Sequence, residues 1–310
     1  DYTVGVFTEG DYRKLLIKGH NLDTKMSEVA NKKYVYIDKN YSEEKVVEIF
    51  SSSFFEELPV LENGKVIDIL YSEDFISSRV KKDSTPVIIM AGGKGTRLDP
   101  FTRILPKPLI PIGQEPVIRV IMDRFVSDGF SGFIFSLNDK AEIIESYFST
   151  IKRNYNIEFV KEQKVMGTAG SLSLLGDKIE DKCFVCNCDI ITKVRNDKLL
   201  NFHNSNKFDF TIVAASQKHQ INYGVCNFDS QGQFLNINEK PCYENLVVTG
   251  LYVLSKSVIE LIPKDIKFDM PDLIDRAKKN GLKVGVFPLP EDCWHDVGQW
   301  DEFNKVIDRQ

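Results

Sequence analysis

The chain has 310 residues, 42% of them hydrophobic, which is enough for two domains with packed cores and no need of disulfide or metal staples. Its 40 basic and 45 acidic side chains give a formal charge of −5, and no lysine-arginine block dominates any segment, which excludes a broad electrostatic grip on nucleic acid. No apolar run reaches the ~18 residues of a membrane span and no charged-then-apolar leader opens the chain, so a soluble, cytoplasmic protein without membrane contact is expected.

In chain order, "TVGVF" predicts a strand, and Gly10 and Asp11 then open a helix with Tyr12, Leu15 and Leu16 inward. A chain that starts at Asp1, already inside such an element, is expected to be a fragment cut within a domain. Ser42, Glu43 and Glu44 start a second helix, the acids suiting its positive end, with Val46, Val47, Ile49 and Phe50 on one buried face. "ELPVLENGKVIDILY" reads as two strands around Asn63 and Gly64, residues that accept the positive φ of a tight type I′ hairpin. These elements form a first domain over 1–78, and the polar stretch 79–85 reads as a linker.

From 86 to 310 the pattern changes. "VIIMAGGKGTRL" is a buried strand breaking into a glycine-rich loop, and "PVIRVIMDRFVSDGF" is an amphipathic helix with Val117, Ile118, Ile121, Met122 and Phe125 inward. "GFIFSLN", "AEIIESYFSTI", "NIEFV" and "CFVCNCD" continue the alternation of strand and helix, which predicts an α/β domain with a mixed, mostly parallel, doubly covered sheet. The six cysteines include one C-x-x-C, Cys183 and Cys186, but no second pair or histidine cluster completes a zinc site, so buried reduced thiols are expected.

The glycine-rich loop carries the strongest chemical signal. After Ala91, Gly92, Gly93 and Gly95 let the backbone turn sharply and bring N–H groups to phosphate oxygens, and Lys94 and Arg97 add charge beside Thr96. The spacing is neither the G-x-x-x-x-G-K-S/T of a P-loop nor a G-x-G-x-x-G dinucleotide fingerprint. "DPFTRILPKPLIPIG" follows closely and holds Lys107 between two prolines, which lowers the entropy cost of presenting one cation to one phosphate.

G-G-x-G-T-R-L followed by P-K-P-L resembles the signature of the sugar-1-phosphate nucleotidyltransferases, and further motifs extend the resemblance over 86–310. It implies a Rossmann-like fold in which nucleoside triphosphate lies over the loop. Ala91, Gly92, Gly93, Gly95 and Thr96 would cradle it, Arg97 and Lys107 would be catalytic, and the products would be a nucleotide sugar and pyrophosphate. Gly167, Thr168 and Ala169 match a stretch that reads the base. Just before them stands Glu162, a carboxylate that only accepts hydrogen bonds, as the two adjacent donors of guanine's edge require; its alternative is a solvated strand-end acid.

Asp189 ends "CFVCNCD" at the strand edge where ligands gather in open α/β sheets, and the resemblance makes it a Mg2+ ligand together with Asp296 of "CWHDVGQW". A lone strand-end acid is otherwise a helix cap or a surface residue. On the sugar side, Gly224, Glu239 and Lys240 match Y-G and E-K-P motifs, and Thr249 and Gly250 match a pattern in which Val248 replaces a common asparagine. The four histidines are given no role as base, because a phosphate monoester is already ionised near neutral pH.

Residues 1–78 resemble a CBS domain pair lacking its beginning, and the T-x-x-D spacing of Thr8 and Asp11 suits a regulatory nucleotide; a structural or dimerising cap is the other reading, and a homo-oligomer is compatible with both. This fusion resembles the guanylyltransferases for glucosamine 1-phosphate in legionaminic acid synthesis. GTP and glucosamine 1-phosphate are therefore the favoured substrates, with mannose- or heptose-1-phosphate guanylyl transfer, glucose-1-phosphate uridylyl or thymidylyl transfer, or a silent nucleotide-sensing subunit as alternatives.

Overall fold

A computed structural model describes residues 3, 5–8, 11, 12, 15, 24–51, 57–75, 82–151 and 155–298. Gly10, Leu16, part of the expected linker (79–81) and the last twelve residues of the expected second domain (299–310) lie outside these. The chain divides into two compact units, Asp1–Lys81 and Lys82–Gln310.

The first unit contains a three-stranded sheet in the order β1 (Ile37–Asp38), β2 (Glu57–Glu62), β3 (Lys65–Tyr71), with β1 parallel and β3 antiparallel to β2. Asn63 and Gly64 turn the β2–β3 hairpin with φ of 52° and 76°, the conformation their dipeptide favours. Helix α1 (Glu43–Ser51) covers the sheet with Val46 and Phe50, which sit one turn apart and meet Ile37, Leu58, Val60 and Leu70. Ile49 packs at the edge of this core, but Val47 is 37% exposed, because the next position along a helix already points away from the buried stripe.

In the second unit a seven-stranded sheet forms from β4 (Val87–Ala91), β5 (Gly132–Leu137), β6 (Asn156–Lys161), β7 (Lys182–Asn187), β9 (Phe210–Gln220), β12 (Cys242–Ser255) and β13 (Val284–Leu289), in the order β13-β9-β12-β7-β4-β5-β6. Among the shorter strands, β8 (Ile190–Thr192), β10 (Val225–Phe228) and β11 (Phe234–Asn238) lie between these in the chain, and β14 (Trp294–Asp296) follows them. All neighbours in the large sheet are parallel except β12, which runs antiparallel to both β7 and β9. This is the mixed, mostly parallel α/β sheet that the alternating pattern predicts.

Strand β4 is apolar throughout because both of its faces are covered. Val87, Ile89 and Ala91 face a core shared with α2 (Val117–Ser127), α3 (Ala141–Thr150) and α4 (Asn196–Ser205), while Ile88 faces the core under α5 (Met270–Lys279). The five apolar residues expected on the inner face of α2 are all buried. Cys183, Cys186 and Cys188 are buried free thiols in these cores, and burial pushes the Cys188 thiol up to about 12, which disfavours its reactive thiolate form near neutral pH. Among the described residues no helix is long and apolar enough to cross a membrane.

His203 on α4 is buried, with Nδ1 2.8 Å from Thr211 Oγ1, and burial, reinforced by the Lys182 charge, pushes its imidazole down to about 4. The folded state therefore prefers the neutral ring. Above the unfolded value near ~6.5 this costs nothing, and stability is lost as pH falls from there towards about 4, by roughly 2 kcal/mol. Thermal melts of His203→Asn, whose amide reaches the same Thr211, should show a flatter pH dependence over that window than the parent; parallel profiles would contradict this account.

Candidate active site

The glycine-rich loop leaves the carboxyl end of β4, and each glycine answers a different demand. A Cβ on Gly92 would stand 2.7 Å from Glu162 Oε1, and one on Gly95 would stand 2.9 Å from Thr102 Cγ2 and 3.1 Å from the Lys107 Cβ, whereas Gly93 faces open space. Gly95 also takes a φ of 66° as it caps the short helical turn Thr96–Leu98, whose Leu98 is buried. The loop thus packs directly on the proline-flanked turn Lys107–Leu109, where the burial of Pro108 and Leu109 anchors the lysine.

Lys107 reaches Asp189, with which it forms a largely buried ion pair through Nζ and Oδ2. Asp189 follows β7 and precedes β8, and β8 pairs antiparallel with β14, setting Ile190 opposite Asp296. Two further bonds fix β14. The indole N–H of Trp294 donates to the Thr249 carbonyl at 3.2 Å, and the Val297 N–H donates to the Asp189 carbonyl at 3.0 Å.

The two acids, remote in sequence, are thereby brought together. Lys107 Nζ, Asp189 Oδ2 and Asp296 Oδ1 all lie within 2.8 Å of the point where a Cβ on Gly298 would sit. The Gly298 N–H donates to Asp296 Oδ1 at 2.9 Å, and Arg97 Nη1 lies 4.0 Å from Asp296 Oδ2 at the exposed side of the cluster. Among the described residues no group of three histidine, cysteine or acidic side chains forms a metal cage. Two hard carboxylates beside a glycine-rich loop nevertheless suit magnesium, which takes one or two protein carboxylates and completes its shell with water and substrate phosphate.

Glu162 follows β6, with its carboxylate against Gly92. Oε1 accepts from Ser136 Oγ at 2.9 Å and Oε2 from the Met166 N–H at 3.4 Å, which orients the group and leaves lone pairs for a ligand. The Gly167–Gly170 turn is held by a neighbouring segment. Thr168 N–H donates to Asp269 Oδ1 at 2.9 Å, and the Ala169 and Gly170 N–H groups donate to the Phe268 carbonyl at 3.0 and 2.9 Å. A Cβ on Gly167, which has a φ of 80°, would stand 2.6 Å from both Asp269 Oδ1 and the Phe268 carbonyl. The lack of side-chain bulk there therefore has an internal packing reason besides access for a base.

Of the residues expected to bind the sugar phosphate, Gly224 and Glu239 adjoin, since a Cβ on the glycine would stand 2.9 Å from Glu239 Oε2, and Lys240 is exposed beside them. Thr249 and Gly250 are buried: Thr249 Oγ1 donates to the Val213 carbonyl at 2.9 Å, and the Asn187 amide fills the space of a Gly250 Cβ. In the other unit, Thr8 and Asp11 bind each other. Thr8 Oγ1 donates to Asp11 Oδ2 at 2.8 Å and the Asp11 N–H donates back to Thr8 Oγ1 at 3.3 Å, the reciprocal arrangement of a helix start.

Sequence reasoning missed Gly298, Trp294, Ser136 and Asn187. The first two lie within the W-x-D-V-G stretch that pointed to Asp296, but only the fold reveals that the glycine makes room for three charged groups and that the indole fixes the strand.

Residues 86–309 match the family model described as "Nucleotidyl transferase". The chain belongs to the nucleotidyl transferase family. As a nucleotidyl transferase it is 34% identical over 230 residues to the mannose-1-phosphate guanyltransferase of Pichia angusta, covering 70% of this chain and 61% of that protein. It is 30% identical over 234 residues to the bifunctional protein GlmU of Methanocaldococcus jannaschii, covering 71% of this chain and 53% of that one. The chain thus spans between about half and three fifths of the curated relatives' length.

Among solved structures, this nucleotidyl transferase matches HddC from Yersinia pseudotuberculosis with a TM-score of 0.58 at 28% identity, over 73% of this chain and 99% of HddC. HddC complexed with GMP-PN matches with a TM-score of 0.57 at 27% identity, over the same shares of the two chains.

Proposed function

We propose that the second unit transfers a nucleotidyl group from a nucleoside triphosphate to a sugar 1-phosphate and releases pyrophosphate. The observation that carries this reading is the convergence of Lys107, Asp189 and Asp296 beside a glycine-rich loop, with Arg97 at the rim. The sugar phosphate oxygen attacks the α-phosphorus, and Lys107 and Arg97 offset the charge that builds on the phosphoryl oxygens and the leaving pyrophosphate. Asp189 and Asp296 would hold a magnesium ion, which supplies charge neutralisation of the polyphosphate when bound. Pyrophosphate release measured with four nucleoside triphosphates against glucosamine, mannose, heptose and glucose 1-phosphates tests the reading, and silence across the whole panel would overturn it.

The favoured pair is GTP with glucosamine 1-phosphate. Support for guanine comes from Glu162, whose oriented carboxylate can accept from both donors of the guanine edge, and from the GMP-PN complex of HddC. The choice of the amino sugar rests on the sequence resemblance alone, that of a CBS-like segment joined to the nucleotidyltransferase motifs. Glu162→Gln puts a donor where guanine also donates, so the ratio of kcat/KM for GTP over UTP should fall about tenfold or more. An unchanged ratio would remove Glu162 as the reader of the base. The regulatory reading of the N-terminal unit rests on the spacing of Thr8 and Asp11.

A further inference from the structure

Strand β7 ends at Asn187, two positions before Asp189, so the two Cα atoms are within about 7 Å, the reach of two extended residues. Across the sheet, Cys186 pairs with Leu251 of β12, which sets Asn187 beside Gly250. Gly250 has a φ of 89°, and the Asn187 amide nitrogen occupies the place of its missing Cβ. No side chain other than glycine's fits under that amide.

The neighbouring polar groups are already engaged. Thr249 Oγ1 donates to the Val213 carbonyl, the Thr249 carbonyl accepts from Trp294, Asp189 holds Lys107, and Asp296 accepts from the Gly298 N–H. Val248 is 52% exposed and apolar, so it offers nothing to a hydroxyl. The Asn187 side chain is half-buried and has no hydrogen-bond partner among the described residues. A carboxamide held in place yet unpartnered, at the carboxyl edge of an α/β sheet, is matched to a ligand.

We infer that the Asn187 carboxamide hydrogen-bonds a ring hydroxyl of the sugar 1-phosphate and thereby helps to set which sugar is accepted. The inference rests on the function proposed above. A sugar ring is joined to its phosphate through one oxygen, so a group that reads the ring must lie within about one ring's breadth of the reacting phosphates, as Asn187 does through its nearness to Asp189. A carboxamide both donates and accepts, and so does a hydroxyl; a phosphate only accepts and is better served by Lys107 and Arg97.

Asn187→Leu keeps the volume over Gly250 and removes the hydrogen bonds, and Asn187→Ala removes both. With pyrophosphate release as the readout, KM for the sugar 1-phosphate should rise about tenfold in Asn187→Leu, with KM for the triphosphate and the melting temperature unchanged. Its discrimination among epimeric sugar phosphates should narrow as well. An unchanged sugar KM in a folded variant overturns the inference, and so does a rise confined to the triphosphate KM, which would place a ribose hydroxyl there instead.

Should the parent release no pyrophosphate with any substrate pair, the proposed function fails, and calorimetry with glucosamine, mannose and glucose 1-phosphates decides the matter of Asn187 separately. Binding by the parent that weakens in both variants upholds the inference. Equal binding, or none by the parent, overturns it.

Discussion

Lys107→Ala should lower the rate of nucleotidyl transfer about 100-fold or more, the scale on which preorganised charge contacts act on developing negative charge. The lysine is held by the burial of Pro108 and Leu109 and by the packing of its Cβ on Gly95, so its ammonium is aimed before substrate arrives. It also forms a largely buried ion pair with Asp189, and removing one partner leaves an uncompensated carboxylate. The variant should therefore melt lower than the parent as well as turn over more slowly. Adding a divalent cation should restore part of the melting temperature, because a second positive charge can settle on Asp189, but not the rate. Turnover equal to the parent's would take Lys107 out of the reaction.

Gly298→Ala should be as damaging to activity and far gentler to the fold. The added methyl would collide with Lys107 Nζ, Asp189 Oδ2 and Asp296 Oδ1, three side-chain ends rather than backbone, so the protein can accommodate it by pushing those ends aside. Gly298 is not among the glycines at positive φ, so alanine meets no backbone strain there. The displaced ends are the groups proposed to grip the reacting phosphates, and misplacement of such groups by about 1 Å costs on the order of 100-fold in rate. The expected signature is a melting temperature within a few degrees of the parent with turnover near background. A variant that keeps parental turnover would show that the three ends need not meet.

Much of the fold is readable from local pattern, because a strand buried on both faces must be apolar throughout and an amphipathic helix must repeat its apolar residues every turn. "VIIMA" and the inner face of α2 illustrate both rules. The helix over Glu43–Ser51 shows the limit of such reading, since four apolar residues in a short span cannot all share one stripe and Val47 is the one left outside. The antiparallel course of β12 is invisible in its sequence, as strand direction depends on where distant segments pair.

The candidate site divides in the same way. Lys107, Asp189 and Asp296 stand in motifs, but their meeting depends on a three-residue pairing between β8 and β14 too short to leave any periodic signal. The glycines at 167 and 250 stand in motifs matched to base reading and sugar-phosphate binding. Their missing side chains are explained at least as well by Asp269 and Asn187, which press against them, and no composition or spacing could have shown those neighbours.

The β8–β14 pairing also bears on the order in which the protein matures. A polypeptide leaving the ribosome presents the glycine-rich loop, the lysine and the first carboxylate long before the segment around Trp294 exists, and the last short strand must then find its partner across most of the unit. The two carboxylates therefore come together only once β14 has docked on β8.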